Sequence, residues 1–441
     1  MPSQAPRHYD PHSPLERPVA LPHAPIRQVN ERISIQPPLS RRGHGPGILL
    51  LLPPTGDDRH SALPESDNRR SKKLDPEPVQ KWAEEGFAVA FSTAAAASPL
   101  QAIDTVLDDV AEAFESLGGD VVDVKGRYGI IVLTRSSWLA AYDASQLESL
   151  PEDTRFVCIA AFGLPAHVTD ARLGPAAATK PVLLHIANSE GTYRGEDHAA
   201  IIHAYPAASA SFVIPSSTSY DPSSAALAHT RTLVFLREHL GGPRFDLEKI
   251  WDEHCYFEFE ERSVAKTMGT MVAEPYVNHV PTMTGGVGRE ALTQFYRDHF
   301  IFSNPIDARL QLVSRTVGPD RVVGDADEFI FHITHDRTVD WLLPQVPPTG
   351  EKLAIPMVAV VNIRGDRLYN EHIWWDQATV LRQCGILPTH LPHPTPEGTQ
   401  RISIRLPVAG AESARMLVNE SRYCSNEMLC PEWTLSAQES Q

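Results

Sequence analysis

Along the chain the apolar positions follow two different rhythms. From Gly47 the run GILLLL is followed by a polar loop (53–78), a helix candidate VQKWAEEG and a second apolar run, FAVAF. Between residues 101 and 117 the apolar side chains Ile103, Val106, Leu107, Val110, Phe114 and Leu117 recur at three- and four-residue steps, which predicts a helix with one buried face. Strands are predicted at YGIIVLT (128–134), FVCIAAFG (156–163), PVLLHIA (181–187) and ASFVI (210–214), and a closing helix over 223–240 is stopped by Gly241-Gly242. Continuous apolar strands alternating with helices predict an α/β domain whose mostly parallel sheet is covered on both faces.

After Pro243 the rhythm changes. Ile250, His254, Phe257, Glu261, Val264 and Met268 fall at steps of four and three, predicting one long helix over 247–268. A second helix is expected over 289–300. Strand candidates follow at 308–317, 321–334 and 355–377, the last broken by Gly365-Asp366, which suits a tight hairpin. Helices first and meandering strands afterwards predict an α+β domain with a curved antiparallel sheet. Proline-rich stretches such as HSPLERPVALPHAP forbid long helices, so 1–45 reads as an irregular arm. Residues 389–441 read as a tail without assigned structure.

Length and charge narrow the functional classes. The 441 residues fit two domains plus irregular segments. With 55 acidic against 39 basic residues the formal charge is −16, which repels phosphates and anionic membranes, so no nucleic-acid or membrane partner is expected. Five scattered cysteines, Cys158, Cys255, Cys384, Cys424 and Cys430, suggest no disulfide framework. The start MPSQAPRHYD has no apolar signal core, and the longest strongly apolar run is far shorter than the roughly 18–20 residues of a spanning helix. A cytosolic protein is expected.

The order GILLLLPPTG, WAEEGFAVAF, RYGIIVLT, KPVLLHIANSE and HAYPAASASF over residues 46–242 resembles the dienelactone hydrolase branch of the α/β-hydrolases. In that family a cysteine or serine stands on a glycine-flanked turn after a strand. Here Thr134, Arg135, Ser136 and Ser137 follow the strand, and no Gly-x-Ser-x-Gly occurs. The resembling acid position offers Asn188, Ser189 and Glu190, and Tyr205-Pro206 leads to Ala207, Ala208, Ser209 and Ala210 rather than to a histidine. Without an imidazole to activate a hydroxyl, the resemblance implies a domain inactive by the family's mechanism. His203 and His229 are the histidines that could rescue it.

Residues 247–388 resemble SnoaL-like polyketide cyclases, members of the nuclear transport factor two-like, ketosteroid-isomerase-like cone fold. The resemblance rests on Thr334-His335, Pro347-Pro348-Thr349-Gly350, Gly365-Asp366, Glu371, Trp374, Asp376, Leu381, Gln383 and Gly385, with Tyr276 to Pro281 and Gly286 to Gly288 upstream. It implies that His279, His335 and Asp376 fall in or near a pocket. Period-two alternation puts Asn370, His372, Trp374 and Asp376 on one face of the last strand, and Tyr369, Glu371, Ile373 and Trp375 on the other. A carboxylate walled by tryptophan is pushed toward neutrality and becomes a general acid/base, so Asp376 is the first candidate. The same Asp376 is also placed to cap the helix ATVLRQCG. Tyr276, Asn278, His279, His335 and His372 are candidate donors for a developing enolate oxygen. Trp341 and Trp374 are candidate substrate contacts, although core or subunit-interface packing competes for Trp341.

Two other motifs are set aside. Gly286-Val287-Gly288-Arg289-Glu290-Ala291 has dinucleotide-like spacing, but a proline-containing loop precedes it instead of a crossover strand. His332 and His335 point to opposite faces of a strand and have no further ligand at helical spacing, so no metal and no cofactor is expected. The leading expectation is a cofactor-free lyase, cyclase or isomerase that moves a proton on a small apolar carbonyl compound, of polyketide or aromatic-derived type by resemblance, with a second copy of the chain as a candidate partner. A lactone or ester hydrolase in the first domain, and a non-enzymatic binding or assembly protein, stand as alternatives.

Overall fold

The computed structural model describes residues 8–31, 33–52, 74–92, 102–117, 119–133, 153–164, 180–187, 200–206, 208–394, 401–431 and 433. The chain divides into two compact units, one of Leu21–Asp246 with Arg364–Asp366, the other of Met1–Ala20, Leu247–Ile363 and Arg367–Gln441. Among the described residues no helix is long and apolar enough to cross a membrane.

The unit of Leu21–Asp246 is built on strands β1 (Arg27–Gln28), β2 (Ile33–Gln36), β3 (Gly47–Leu51), β4 (Ala88–Ser92), β5 (Tyr128–Leu133), β6 (Phe156–Leu164), β7 (Val182–Ala187) and β8 (Ala200–Tyr205). Their order in the sheet is β1-β2-β4-β3-β5-β6-β7-β8. From β4 to β8 all neighbours run parallel, while β1 and β2 add antiparallel. The continuous apolar runs have a simple cause: the strands are buried on both sides. Leu49, Ile130 and Val132 join one core with Val110 and Phe114 of the helix Ala102–Ser116. Ile48, Leu50, Ile131 and Leu133 join another with Trp82 of the helix Pro78–Glu84 and Leu233 and Leu236 of the helix Pro222–Leu240. That last helix ends on Gly241 at φ 80°, a left-handed backbone that glycine adopts without a Cβ penalty.

Two expectations for this unit are corrected. The 1–45 segment is not uniformly irregular, because Ile33 and Ile35 alternate into the core and bring β2 alongside β4. Residues 210–214 are not a strand: Phe212 N–H donates to Ser209 and Ile214 N–H to Ser211, so this short apolar run is a buried turn, and the sheet is completed by β8 instead. The hydrolase-like positions Thr134 to Ser137 and Asn188 to Glu190 lie outside the described residues, as does Ala207.

In the other unit the helix Leu247–Cys255 passes into a π-helical turn, Tyr256–Glu260, before a short helix Val264–Gly269. The expected single helix is broken because Glu261 N–H reaches back five residues to Tyr256 and Arg262 takes φ 57°. The helix Arg289–Phe295 likewise passes into a π turn, Tyr296–Phe300. Six strands follow one sheet: β9 (Met271–His279), β10 (Thr284–Val287), β11 (Arg309–Val317), β12 (Arg321–Thr334), β13 (Lys352–Arg364) and β14 (Arg367–Trp375), in the order β10-β9-β14-β13-β12-β11. β9 runs parallel to β14, and the pairs β10/β9, β11/β12 and β12/β13 are antiparallel. Register shifts within β11/β12, β12/β13 and β14/β9 are the irregularities that bend such a sheet.

The proline-containing stretch read as a loop before Gly286 is a turn, residues 280–283, joining β9 to β10. Gly286 belongs to β10, an antiparallel hairpin partner of β9, and a Cβ there would lie 2.9 Å from the Leu292 nitrogen; helix packing accounts for that glycine. Beyond residue 389 the chain is also structured, with the antiparallel pair β15 (His390–Pro394) and β16 (Arg401–Arg405) and a helix Ala411–Val418.

Candidate active site

The unit of Leu247–Ile363 and Arg367–Gln441 holds a cavity of about 460 Å3, its mouth included. Each π turn delivers residues to it: Glu258 and Phe259 from the first, Tyr296 and Phe300 from the second. π turns inserted at helix ends recur at functional sites because the extra residue redirects side chains. The sheet contributes Val277 and His279 from β9 and Glu371 and Ile373 from β14. Period two makes these pairs inevitable once one member faces inward.

Two of the lining residues, Glu258 and Glu371, converge on a third ionisable side chain, His254. His254 Nε2 lies 3.1 Å from Glu258 Oε1 and 3.2 Å from Glu371 Oε1, and the Tyr296 hydroxyl stands 3.3 Å from the same nitrogen. All four residues are buried. The other ring nitrogen is spoken for. Thr270 Oγ1 donates to the Thr267 carbonyl, so it accepts from His254 Nδ1–H across 2.5 Å. A single Nε2–H cannot satisfy both carboxylates, and Glu371 Oε1 has no hydrogen-bond partner. Burial alone would lower the His254 pKa, but the charges of Glu258 and Glu371 outweigh it and raise it to about 10. Glu371 is raised from the usual carboxylate range, since burial and Glu258 outweigh the pull of His254. The Tyr296 phenol is raised well above its ordinary value by burial and the two carboxylates, and so is a neutral donor.

Another part of the lining is aromatic. His279 stacks on Phe300 and packs against Trp341, with ring centroids 5.5 and 4.7 Å apart. Its Nδ1–H faces the Thr284 carbonyl at 3.3 Å, which leaves Nε2 as the unprotonated nitrogen. Burial lowers its pKa to about 3.

Of the residues expected at the site, His279 and Trp341 line the cavity, and the others do not. The expectation that Asp376 sits in an apolar chamber is corrected. Its side chain is exposed and accepts from the N–H groups of Ala378 and Thr379, capping the helix Gln377–Gln383. Trp374 is 38% exposed and His372 is half-buried, edge-on to Tyr276 and Trp374. The cause is the face of β14: the inward set is Glu371, Ile373 and Trp375, the less polar of the two alternating sets. Tyr276 and Asn278 lie on the outward face of β9 for the same reason. His335 is buried but apart from the cavity, its Nδ1 accepting from Thr349 N–H at 3.3 Å. His254, Glu258, Tyr296 and Glu371 were not expected. A His-x-x-x-Glu spacing at 254 and 258, one helical turn apart, was the available signal.

In the unit of Leu21–Asp246, the two histidines considered for rescue have other partners. His229 Nε2 pairs with Glu85 at 2.7 Å, and His203 stacks on His185. His185 is itself buried, hydrogen-bonded to Tyr205 and Thr232.

No family model and no curated protein matches this chain. Solved structures are similar over about a third of it. One is a candidate SnoaL-like polyketide cyclase from Jannaschia sp. CCS1, 18% identical, covering 34% of this chain and 100% of its own, with a TM-score of 0.26. Another is an NTF2-like protein from Burkholderia thailandensis E264, 13% identical, covering 33% and 100%, TM-score 0.25. A third is the epoxide hydrolase/cyclase-like enzyme SalBIII of pyran ring formation in salinomycin, 12% identical, covering 29% and 89%, TM-score 0.23.

Proposed function

We propose that the cavity bounded by Glu258, His279 and Glu371 is the active site of a cofactor-free lyase, cyclase or isomerase that moves a proton on a small apolar carbonyl compound. The observation that carries this reading is Glu371 Oε1, buried, without a hydrogen-bond partner, on the wall of a cavity otherwise lined almost entirely by apolar and aromatic groups. A carboxylate so placed is a stronger base than one in water, because proton uptake removes a poorly solvated charge. Its elevated pKa is the direction that general base work next to a carbonyl requires.

The neighbouring groups divide the remaining work. His254, an imidazolium 3.1 Å from Glu258 and 3.2 Å from Glu371, keeps Glu371 oriented through its charge. The neutral Tyr296 hydroxyl donates to Glu258 and helps to hold that carboxylate beside His254. His279, with Nδ1–H committed to Thr284, offers a lone pair at Nε2 and accepts from a substrate hydroxyl or enol. Trp341, Phe300 and Phe331 exclude water and bind the apolar body of the substrate.

The test is solvent deuterium incorporation next to the carbonyl of a panel of small apolar ketones, read by mass spectrometry. Wild-type protein is expected to accelerate exchange, and Glu371→Gln to lose roughly 10²–10⁴ of that rate with an unchanged circular dichroism spectrum. Equal rates in the two proteins, or no exchange by the wild type across the panel, would overturn the reading.

A further inference from the structure

We propose that His254, Glu258 and Glu371 also form a binding site for one divalent first-row transition-metal ion, which enters in exchange for the proton on His254 Nε2. The step balances as one M2+ taken up, one Nε2–H bond broken and one proton released to solvent.

Four observations converge on this. The three ligand atoms lie within 4.8 Å of one another. Metal bonds of about 2.0–2.1 Å meeting at a tetrahedral angle place neighbouring ligand atoms about 3.3 Å apart, and the two distances from Nε2 are 3.1 and 3.2 Å. The outer shell is already in place: Thr270 Oγ1, obliged to accept by its own bond to Thr267, fixes the proton on Nδ1 and turns Nε2 toward the carboxylates. Ligating histidines are regularly held this way. Glu371 Oε1, at a side-chain exposure of 2%, faces His254 Nε2 at 3.2 Å and has no hydrogen bond. Finally, the cavity beyond it leaves an open coordination position, as in metal sites with three protein ligands.

Charge favours the same conclusion. Two carboxylates and an imidazolium leave one uncompensated negative charge out of water, which is costly. A dication with a neutral imidazole makes the group neutral. One nitrogen and two carboxylate oxygens suit Zn2+, Mn2+ or Fe2+ better than a soft ion. This inference concerns binding and holds or fails independently of turnover. Where both hold, the metal-bound and proton-bound forms are alternatives, and metal suppresses ketone exchange.

The experiment is equilibrium dialysis of the full chain against Zn2+ alone, without substrate. One equivalent per chain is expected, weakened at least a hundredfold in Glu371→Gln and in His254→Asn and retained in the double variant Cys424→Ser, Cys430→Ser, which removes the exposed thiols. X-ray absorption at the zinc edge of the wild type is expected to show nitrogen and oxygen ligands with one imidazole, a readout that does not depend on any variant folding. Absence of stoichiometric uptake, uptake unchanged in Glu371→Gln, or sulfur in the zinc shell would overturn the proposal. Loss of exchange activity in Glu371→Gln with zinc uptake also lost leaves both readings standing; zinc uptake without ketone exchange by the wild type removes only the catalytic one.

Discussion

Two histidines, His279 in the cavity wall and His254 against the lining residues Glu258 and Glu371, are both almost wholly buried and are driven in opposite directions. His254 is raised to about 10 and His279 is lowered to about 3. Desolvation acts on both and favours the neutral ring. The difference is what lies beside each ring: Glu258 and Glu371 for His254, Phe300 and Trp341 for His279. Burial alone therefore does not tell whether a histidine is a cation or an aromatic spacer. The carboxylates of the lining gather around His254, whereas His279 is surrounded by aromatic rings.

The comparison breaks most visibly if the two carboxylates lose their cation. His254→Gln leaves two buried carboxylates uncompensated, and the loss in unfolding free energy is expected at about 3–5 kcal/mol, read from urea denaturation near neutral pH. The pH dependence of stability sharpens the contrast without any change in charge count. For His254 the folded pKa lies above the unfolded one near 6.5. Its contribution is therefore complete below pH 6.5 and is lost as pH rises toward 10, at no more than about 1.4 kcal/mol per pH unit. For His279 the folded value lies below 6.5, so its contribution is present above pH 6.5 and is lost on acidification toward pH 3. Denaturation midpoints across pH 4–10 are expected to lose their alkaline slope in His254→Gln and part of their acid slope in His279→Phe. Slopes identical to the wild type in both variants would refute the assignment.

Parts of this architecture were legible in the residues and parts were not. The Gly365-Asp366 break placed the turn between β13 and β14 well, because a glycine there takes the left-handed backbone, φ 60°, that a tight hairpin needs. The helix 247–268 was misread because a π turn preserves an apolar stripe while inserting a residue, and periodicity does not register the insertion. The site was missed on a binary choice. Alternation along β14 defines two faces without saying which is inward, and a tryptophan sits on each. The set with Ile373 and Trp375 is the more apolar, and that preference was a sounder guide than the cluster of polar groups at Asn370, His372 and Asp376. Glu371 looks out of place on an apolar face, and such a mismatch between a residue and its surroundings marks functional positions.

The outward face of β14 supplies a smaller test of the same division. Asp376→Ala removes a helix cap that accepts two backbone N–H groups and the Thr379 hydroxyl, a loss of about 1 kcal/mol. Ketone exchange, where the wild type shows it, is expected to stay within about twofold, because the carboxylate does not line the cavity; a loss as large as that of Glu371→Gln would return Asp376 to the mechanism.

The smallest effect is expected among the aromatic rings. His279→Phe exchanges one flat ring for another among Phe295, Phe300 and Trp341 and gives up one long hydrogen bond to Thr284. Near-conserved volume in a packed core costs less than about 1.5 kcal/mol. Since the imidazole is neutral at every pH near 7, no charge is lost with it. Stability at pH 7 should therefore hardly move, while binding of a hydroxylated ligand weakens and binding of a purely apolar one does not. A loss of stability comparable to that of His254→Gln would show that His279 carries a charge, and the contrast between the two histidines would fail.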